Sequence, residues 1–211
     1  MKIGIIGAGN MGSSLGKFWA QNGHKLMFSY SRDESKLQKL AESIGENATV
    51  GTPTEAVQFA DIVLLSVPYT AIESALKAAG SLDGKILFSC VNALKPDMSG
   101  LAVGTTTSAA EEIAKLAPGA RVVEALPLFA EVLNAPSQQF DGQTATVFYT
   151  GDDQEAKTIV ADLLRETNVE AIDAGPLQNA RYVEPAMFLL IQLAYTQKLD
   201  QVAFKLLQRE A

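Results

Sequence analysis

Short apolar segments alternate with segments of helical periodicity along most of the chain, and this alternation restricts the possible folds more than any other feature. Lys2–Ile6, Lys25–Phe28, Asp61–Val67, Lys85–Cys90 and Arg121–Ala125 read as strands. Between the first of them, Met11, Leu15, Phe18 and Trp19, and then Leu37, Leu40, Ala41 and Ile44, recur at the spacing of one helix face. Gly23 and Gly45 stand just past these helices, where a left-handed residue commonly closes the last turn. Ala48–Val50 adds a short third strand. Alternating elements with continuous apolar strands predict an α/β fold with a doubly wound, mostly parallel sheet. Right-handed crossovers then put helices on both faces.

The pattern changes after Ala125. Residues 126–143 read as loop with two prolines, Thr144–Tyr149 as a strand, Asp153–Glu166 as a helix and Val169–Asp173 as a last strand. From Leu177 the chain reads as helical almost to its end, with Pro185 at a break or in a first turn. A division follows: 1–125 as a Rossmann-type α/β domain, and 126–211 as an extension that completes the sheet.

Several function classes are excluded by composition. A formal net charge of -7 gives no basic face for nucleic acid. The apolar run Met187–Ile191 is far shorter than the roughly 20 residues that span a bilayer, and no signal peptide is read. Cys90 is the one cysteine and His24 the one histidine, which leaves no disulfide and no zinc set. The expectation is a cytoplasmic protein that binds no membrane and no metal.

The first turn carries the sharpest motif, Gly7-x-Gly9-x-x-Gly12, between a strand and a helix. There Gly7 permits the tight turn, Gly9 admits the pyrophosphate to the backbone, and Gly12 lets the helix pack on the sheet. The free N–H groups at that helix's positive end would hold the pyrophosphate. After the second strand, where an NAD site places a carboxylate, the chain has Ser31 and Arg32. A hydroxyl and a guanidinium suit a 2′-phosphate, and Lys36 adds charge, so the expected cofactor is NADP. Ser66, Val67, Pro68 and Tyr69 end the next strand, and Cys90, Val91 and Asn92 the one after, both at the sheet edge where ligands lie. Cys90 lacks a base beside it and reads as a small buried thiol. His24 sits at the opposite, amino end of the sheet, and no carboxylate pair is expected at a strand's site end. No catalytic acid or base is therefore assigned.

The segments GIIGAGNMGSSLGKFWAQNGHKL, LLSVPYTAIESAL, SAAEEIAKLAPGARVVEAL and DAGPLQNARYVEP, together with Ser31-Arg32, resemble the NADPH-dependent deazaflavin (coenzyme F-420) reductase family in order over nearly the whole chain. The last segment is the specific one, because it is not a general Rossmann feature. The resemblance implies hydride transfer between NADPH and a flavin-like or deazaflavin acceptor. It implies Gly7, Gly9, Asn10, Met11 and Gly12 on the pyrophosphate, Ser31 and Arg32 on the 2′-phosphate, and Ser66, Val67 and Pro68 beside ribose and nicotinamide. Val91 and Asn92 then lie near the ring. Cys90, Leu126 and Pro127 bound the acceptor pocket, and Gly175, Pro176 and Leu177 close it. The apolar helix at Met187–Leu193 would be buried in the core or in a homodimer. The rival reading is an NADP(H)-binding sensor without turnover, whose ring-sized space would be filled by its own side chains.

Overall fold

The computed structural model describes residues 1–31 and 33–209, so the Arg32 assignment lies outside the described residues. The first half alternates as expected: β1 (Lys2–Ile6), α1 (Asn10–Gln21), β2 (Lys25–Ser29), α2 (Glu34–Ile44), β3 (Ala48–Val50), α3 (Pro53–Phe59), β4 (Ile62–Leu65), α4 (Ile72–Ala79) and β5 (Ile86–Ser89). There follow α5 (Ala109–Leu116), β6 (Arg121–Leu126), α6 (Ala130–Leu133), a small hairpin of β7 (Gln139–Phe140) and β8 (Gln143–Thr144), β9 (Thr146–Gly151), α7 (Gln154–Arg165), β10 (Glu170–Asp173) and α8 (Ala180–Ile191). Ten strands form an eight-stranded sheet, ordered β10-β9-β6-β5-β4-β1-β2-β3, and the separate hairpin. All neighbours in the sheet are parallel except β6 and β9, which pair antiparallel.

The inner strands are buried almost throughout, and successive side chains face opposite layers, as a two-sided core requires. Ile3, Ile5, Ile62 and Leu64 face one layer with Leu15 and Trp19 of α1 and Val160 and Leu164 of α7. Ile6, Val63, Leu65 and Leu87 face the other with Ile72 and Leu76 of α4 and Ile113 of α5. Gly4 keeps α3 close, because a Cβ there would stand 2.5 Å from the Ala56 carbonyl oxygen. Trp19 is fully buried, lies 6.1 Å from Phe88 between ring centres, and donates its Nε1 hydrogen to the Leu163 carbonyl at 3.0 Å. One side chain thus ties α1 to α7 on the same face of the sheet.

Two expectations about the last third are corrected. Helix does not run to the end: after a single π turn over Gln192–Thr196, Lys198 and Asp200 take left-handed φ values of 58° and 62°. Beyond them, Val202, Phe204 and Leu206 are half-buried at period two, and the Thr146 N–H donates to the Phe204 carbonyl at 2.8 Å. That period is an extended one, and the helical reading mistook it. Pro185 marks neither a break nor a first turn; it lies inside α8, where it removes the N–H that would bond the Arg181 carbonyl. Residues 126–143, expected to be loop, hold α6 and the hairpin.

Replacing Trp19 by Phe leaves the Leu163 carbonyl without its buried donor. Chemical denaturation is expected to show a loss of about 1–3 kcal/mol, with cofactor affinity unchanged.

Candidate functional site

The site is built on the glycine turn after β1. Gly7 has φ +99°, a conformation side chains resist, and a Cβ there would meet the Ser66 carbonyl oxygen at 2.5 Å. A Cβ on Gly12 would collide with the Gly7 carbonyl oxygen and lie 2.5 Å from Ser66 Oγ. The Ser66 hydroxyl itself donates to the Gly7 carbonyl at 2.5 Å, so the end of β4 clamps the turn. Gly9 differs: no protein atom lies within 4 Å of the place its Cβ would occupy. Packing therefore does not demand glycine at that position; open space in front of the backbone does. Gly9 is also the N-cap of α1, with no side-chain cap and no acidic residue in the first turn. The positive end of a 12-residue helix is left free for an anion, and a dinucleotide pyrophosphate fits it.

Two adjoining clefts share this turn. A groove of about 750 Å³ runs over Gly7, Gly9 and Asn10 to Tyr30, Ser31, Asp33 and Lys36. A cavity of about 440 Å³ continues past Ser66, Val67, Pro68 and Tyr69 to Cys90, Val91, Asn92 and Leu126. Gly9, Asn10, Ser66, Val67 and Pro68 border both. Met11 lies in the cavity wall, and Gly12 is buried behind the turn. At the far end of the groove Asp33 is engaged by its own helix, accepting from Ser35 N at 3.0 Å and Ser35 Oγ at 2.7 Å. Those bonds hold its carboxyl below the ordinary range. Ser31 Oγ is turned to the backbone of Asp33, and the caps of α2 come from Asp33.

Most of the remaining cavity wall is apolar, from Leu94, Met98, Leu126, Leu128, Met187 and Ile191, with Thr70 and Lys95 beside them. Two of its titratable wall groups are held neutral. Tyr69 donates its hydroxyl to Glu112 at 2.6 Å, and burial, with that carboxylate, pushes the phenol up to about 12. Burial, with the Glu124 charge, likewise pushes the Cys90 thiol up to about 12, so it is a neutral wall group and not a nucleophile. His24 pairs with Glu166 at 3.0 Å at the amino end of the sheet.

Three assigned residues do not belong to this wall. Gly175, Pro176 and Leu177 follow β10, and β9 and β10 run opposite to the other strands. Gly151, the last residue of β9, pairs with Val123 and bonds the Gly175 carbonyl at 3.2 Å. The turn is thereby carried away from the cavity, and Leu177 is buried with Ala109 and Ala110 of α5 instead. Pro127, after a cis peptide, also faces elsewhere, into a small apolar pocket with Val147, Val169 and Leu190. Met187 and Ile191 take the place expected for the glycine-proline turn, and their i, i+4 spacing was a usable signal. Met98, in an irregular loop, gave none.

The larger omission is a carboxyl pair. Glu124 on β6 and Glu184 on α8 are both fully buried. Glu124 is flanked in register by Ser89 of β5 and Thr150 of β9, on the face covered by α5 and α8. Glu184 Oε1 accepts from the Ala110 N–H at 3.2 Å, and the Glu184 backbone carbonyl accepts from Asn92 Nδ2 at 3.3 Å. No described donor reaches either Glu124 oxygen or Glu184 Oε2. Burial, then the Glu184 charge and hydrogen bond, hold Glu124 well above the carboxylate range. Burial pushes Glu184 up to about 7. A lone charged residue inside the apolar strand Arg121–Leu126 was the signal available in the sequence.

Residues 2–93 match the family described as NADP oxidoreductase, coenzyme F420-dependent. An F420-dependent NADP reductase of Methanothermobacter thermautotrophicus is 30% identical over 210 residues, covering 92% of this chain and 89% of that one. The chain belongs to this reductase family. A second F420-dependent NADP reductase, from Methanocaldococcus jannaschii, is 29% identical over 208 residues, 92% of each chain. A crystal structure from Arthrobacter sp. FB24, provisionally assigned as an F420-dependent NADP reductase, superposes with TM-score 0.88 at 26% identity over 99% of this chain and 100% of that one. The reductase is thus an NADP-dependent oxidoreductase on a Rossmann-type sheet, as its sequence implied.

Glycines 9 and 12 separate binding from packing. Gly9→Ala is expected to leave the melting temperature nearly unchanged and to weaken NADPH binding tenfold or more, about 1.4 kcal/mol. Gly12→Ala is expected to lose stability and binding together. Equal effects of the two variants on both measurements would remove the pyrophosphate role of Gly9.

Proposed function

We propose that the reductase moves hydride between the nicotinamide of NADP(H), lying along the glycine-turn groove, and the central ring of a flavin-like or deazaflavin acceptor in the adjoining cavity. The observation that carries this reading is the open, largely apolar space of about 440 Å³ where the groove ends. A sensor without turnover would have that space filled. Relatives named for coenzyme F420 support the deazaflavin class. When bound, the nicotinamide supplies the hydride; the chain supplies position.

Backbone N–H groups at Gly9, Asn10 and Met11 hold the pyrophosphate, and Gly7 and Gly12 shape the turn that presents them. Ser31, Arg32 and Lys36 take the 2′-phosphate, with the Asp33 carboxylate engaged at the amino end of its own helix. Ser66, Val67, Pro68 and Tyr69 border ribose and nicotinamide, and Val91 and Asn92 stand at the ring. Cys90 and Leu126, with Met98 and Met187, present flat apolar contact to the acceptor and exclude water from the transfer. No side chain is needed as acid or base, and the high pKa of Tyr69 accords with that. In this reading residues 1–125 carry the cofactor and the remainder covers the acceptor. A cytoplasmic setting is supported by the single free cysteine.

Stopped-flow oxidation of bound NADPH by FMN, FAD and the deazaflavin coenzyme tests the reaction; no oxidation by any of them would overturn it. Arg32→Ala is expected to weaken NADPH about ten- to a hundredfold and leave NADH nearly unchanged. Equal losses for both nucleotides would remove the 2′-phosphate assignment.

We also infer a homodimer. Tyr182, Leu189 and Tyr195 are more than half exposed, at 69%, 52% and 53%, on and just after α8. Sedimentation is expected to show a dimer that Leu189→Glu dissociates; a monomer at micromolar concentration would overturn it.

A further inference from the structure

Tyr30 directly follows β2 and takes no part in the hydride step just described, yet its backbone is costly. Its φ of 57° is left-handed, a conformation that a bulky side chain resists and glycine accepts. Such strain persists only where the surroundings fix it, and it concentrates at ligand sites. Two sets of contacts fix it here. On the chain side, Ser29 pairs with Ile6, donates its hydroxyl to the Ile5 carbonyl at 2.9 Å, and accepts the Gly7 N–H on its own carbonyl at 3.0 Å. The end of β2 is thereby locked to the glycine turn. At the tip of the side chain, the Tyr30 hydroxyl lies 2.6 Å from Ser74 Oγ on α4. The one hydroxyl hydrogen of Ser74 goes to the Ala71 carbonyl at 3.0 Å, so Tyr30 is the donor of that pair.

The ring is pinned at both ends, and its phenol hydrogen is spent. It packs against the core layer that contains Ile6, Val67 and Ile72, stays half-buried, and lines the groove. What the side chain offers a ligand is therefore a flat ring. A ring already immobilised loses no further rotamer freedom when another planar group lies on it. Its position suits one part of a dinucleotide. With Ile6 beside Ser29 in register, Gly7 and Tyr30 end neighbouring parallel strands. The groove runs from the turn that takes the pyrophosphate to Tyr30, so the purine end of the cofactor arrives there.

We propose that Tyr30 is the platform on which the adenine of NADP(H) stacks, a ring held ready by its bond to Ser74. The inference rests on the placement of NADP(H) given above. Stacking on an aromatic ring uses the face of the base and needs no hydrogen bond to its edge, which matches a phenol whose hydrogen is already committed. The left-handed backbone has its reason here: it turns the side chain from β2 toward α4 and lays it beside the groove. Tyr30 then strengthens the adenosine half of the cofactor and leaves the nicotinamide half untouched.

The test is equilibrium binding of NADPH and of reduced nicotinamide mononucleotide, which lacks the adenosine, to the native protein, Tyr30→Gly and Tyr30→Phe. Glycine relieves the left-handed backbone and removes the ring, whereas phenylalanine keeps the ring and loses only the Ser74 bond. Tyr30→Gly is expected to weaken NADPH about ten- to a hundredfold and to leave the mononucleotide unchanged. Tyr30→Phe is expected to bind NADPH within about threefold of the native protein. Native NADPH affinity in Tyr30→Gly, equal losses for both ligands, or a phenylalanine variant as weak as the glycine one overturns the platform. NADPH bound no tighter than the mononucleotide by the native protein overturns the cofactor placement as well, so the two failures are distinct. Should Tyr30→Gly not fold, proton NMR of the native protein with adenosine 2′,5′-bisphosphate decides. The Tyr30 ring signals, identified by their loss in Tyr30→Phe, are expected to move upfield as adenine stacks, and unmoved signals overturn the proposal.

Discussion

The antiparallel pairing of β9 with β6 governs the arrangement of everything after it. Had β9 entered parallel, its carboxyl end and the following turn at Gly175–Leu177 would lie at the ligand edge of the sheet. Because Val123 pairs with Gly151 and Leu126 with Phe148, that turn is sent away from the edge. The chain must then return, and α8 is the return. It lays Val183, Met187 and Ile191 over Leu126, and two of these become cavity wall. One reversed strand therefore supplies the acceptor side of the site from a helix instead of a loop. A helix face is the more rigid choice for holding a planar ring.

At the cofactor side the governing constraint is lack of volume. The Gly7 carbonyl, Ser66 and the place of the missing Gly12 side chain occupy the same few ångströms. The serine hydroxyl satisfies a carbonyl that the tight turn would otherwise leave without a donor. The helix end is thereby locked to two strands before any ligand arrives. Donors fixed in advance need no reorganisation when an anion binds, which is why backbone groups suffice there.

Legibility in the sequence followed the range of the interactions. The parallel half was readable because each strand, turn and helix is decided within about 25 residues, the span of a βα unit. Gly7, Gly9 and Gly12 carry their own geometric signatures, and Ser66 to Tyr69 and Cys90 to Asn92 follow from strand ends alone. Strand direction after β6 left no local mark, so the turn at Gly175 was placed in a pocket it does not reach. The tail over Val202–Leu206 was misread because alternating and helical spacing both fit so short a run. Glu124 and Glu184 are far apart in the chain, and periodicity does not reveal that they meet. Even so, a glutamate between Val123 and Ala125, both fully buried, is an anomaly that asks for a partner.

Hydride transfer between two stacked rings makes a particular demand on a protein. The cavity must be dry and apolar, yet its orienting polar atoms must be fixed to within a fraction of an ångström. Surface hydrogen bonds exchange with water too readily for that task. Here the fixing groups are withdrawn behind the wall: Tyr69 is held by Glu112, and Asn92 by the backbone of Glu184. The low dielectric that strengthens those bonds also makes an unshared charge intolerable. Burial therefore holds the Glu124 and Glu184 carboxyls behind the wall toward their neutral forms, so that β6 and α8 meet there with little charge.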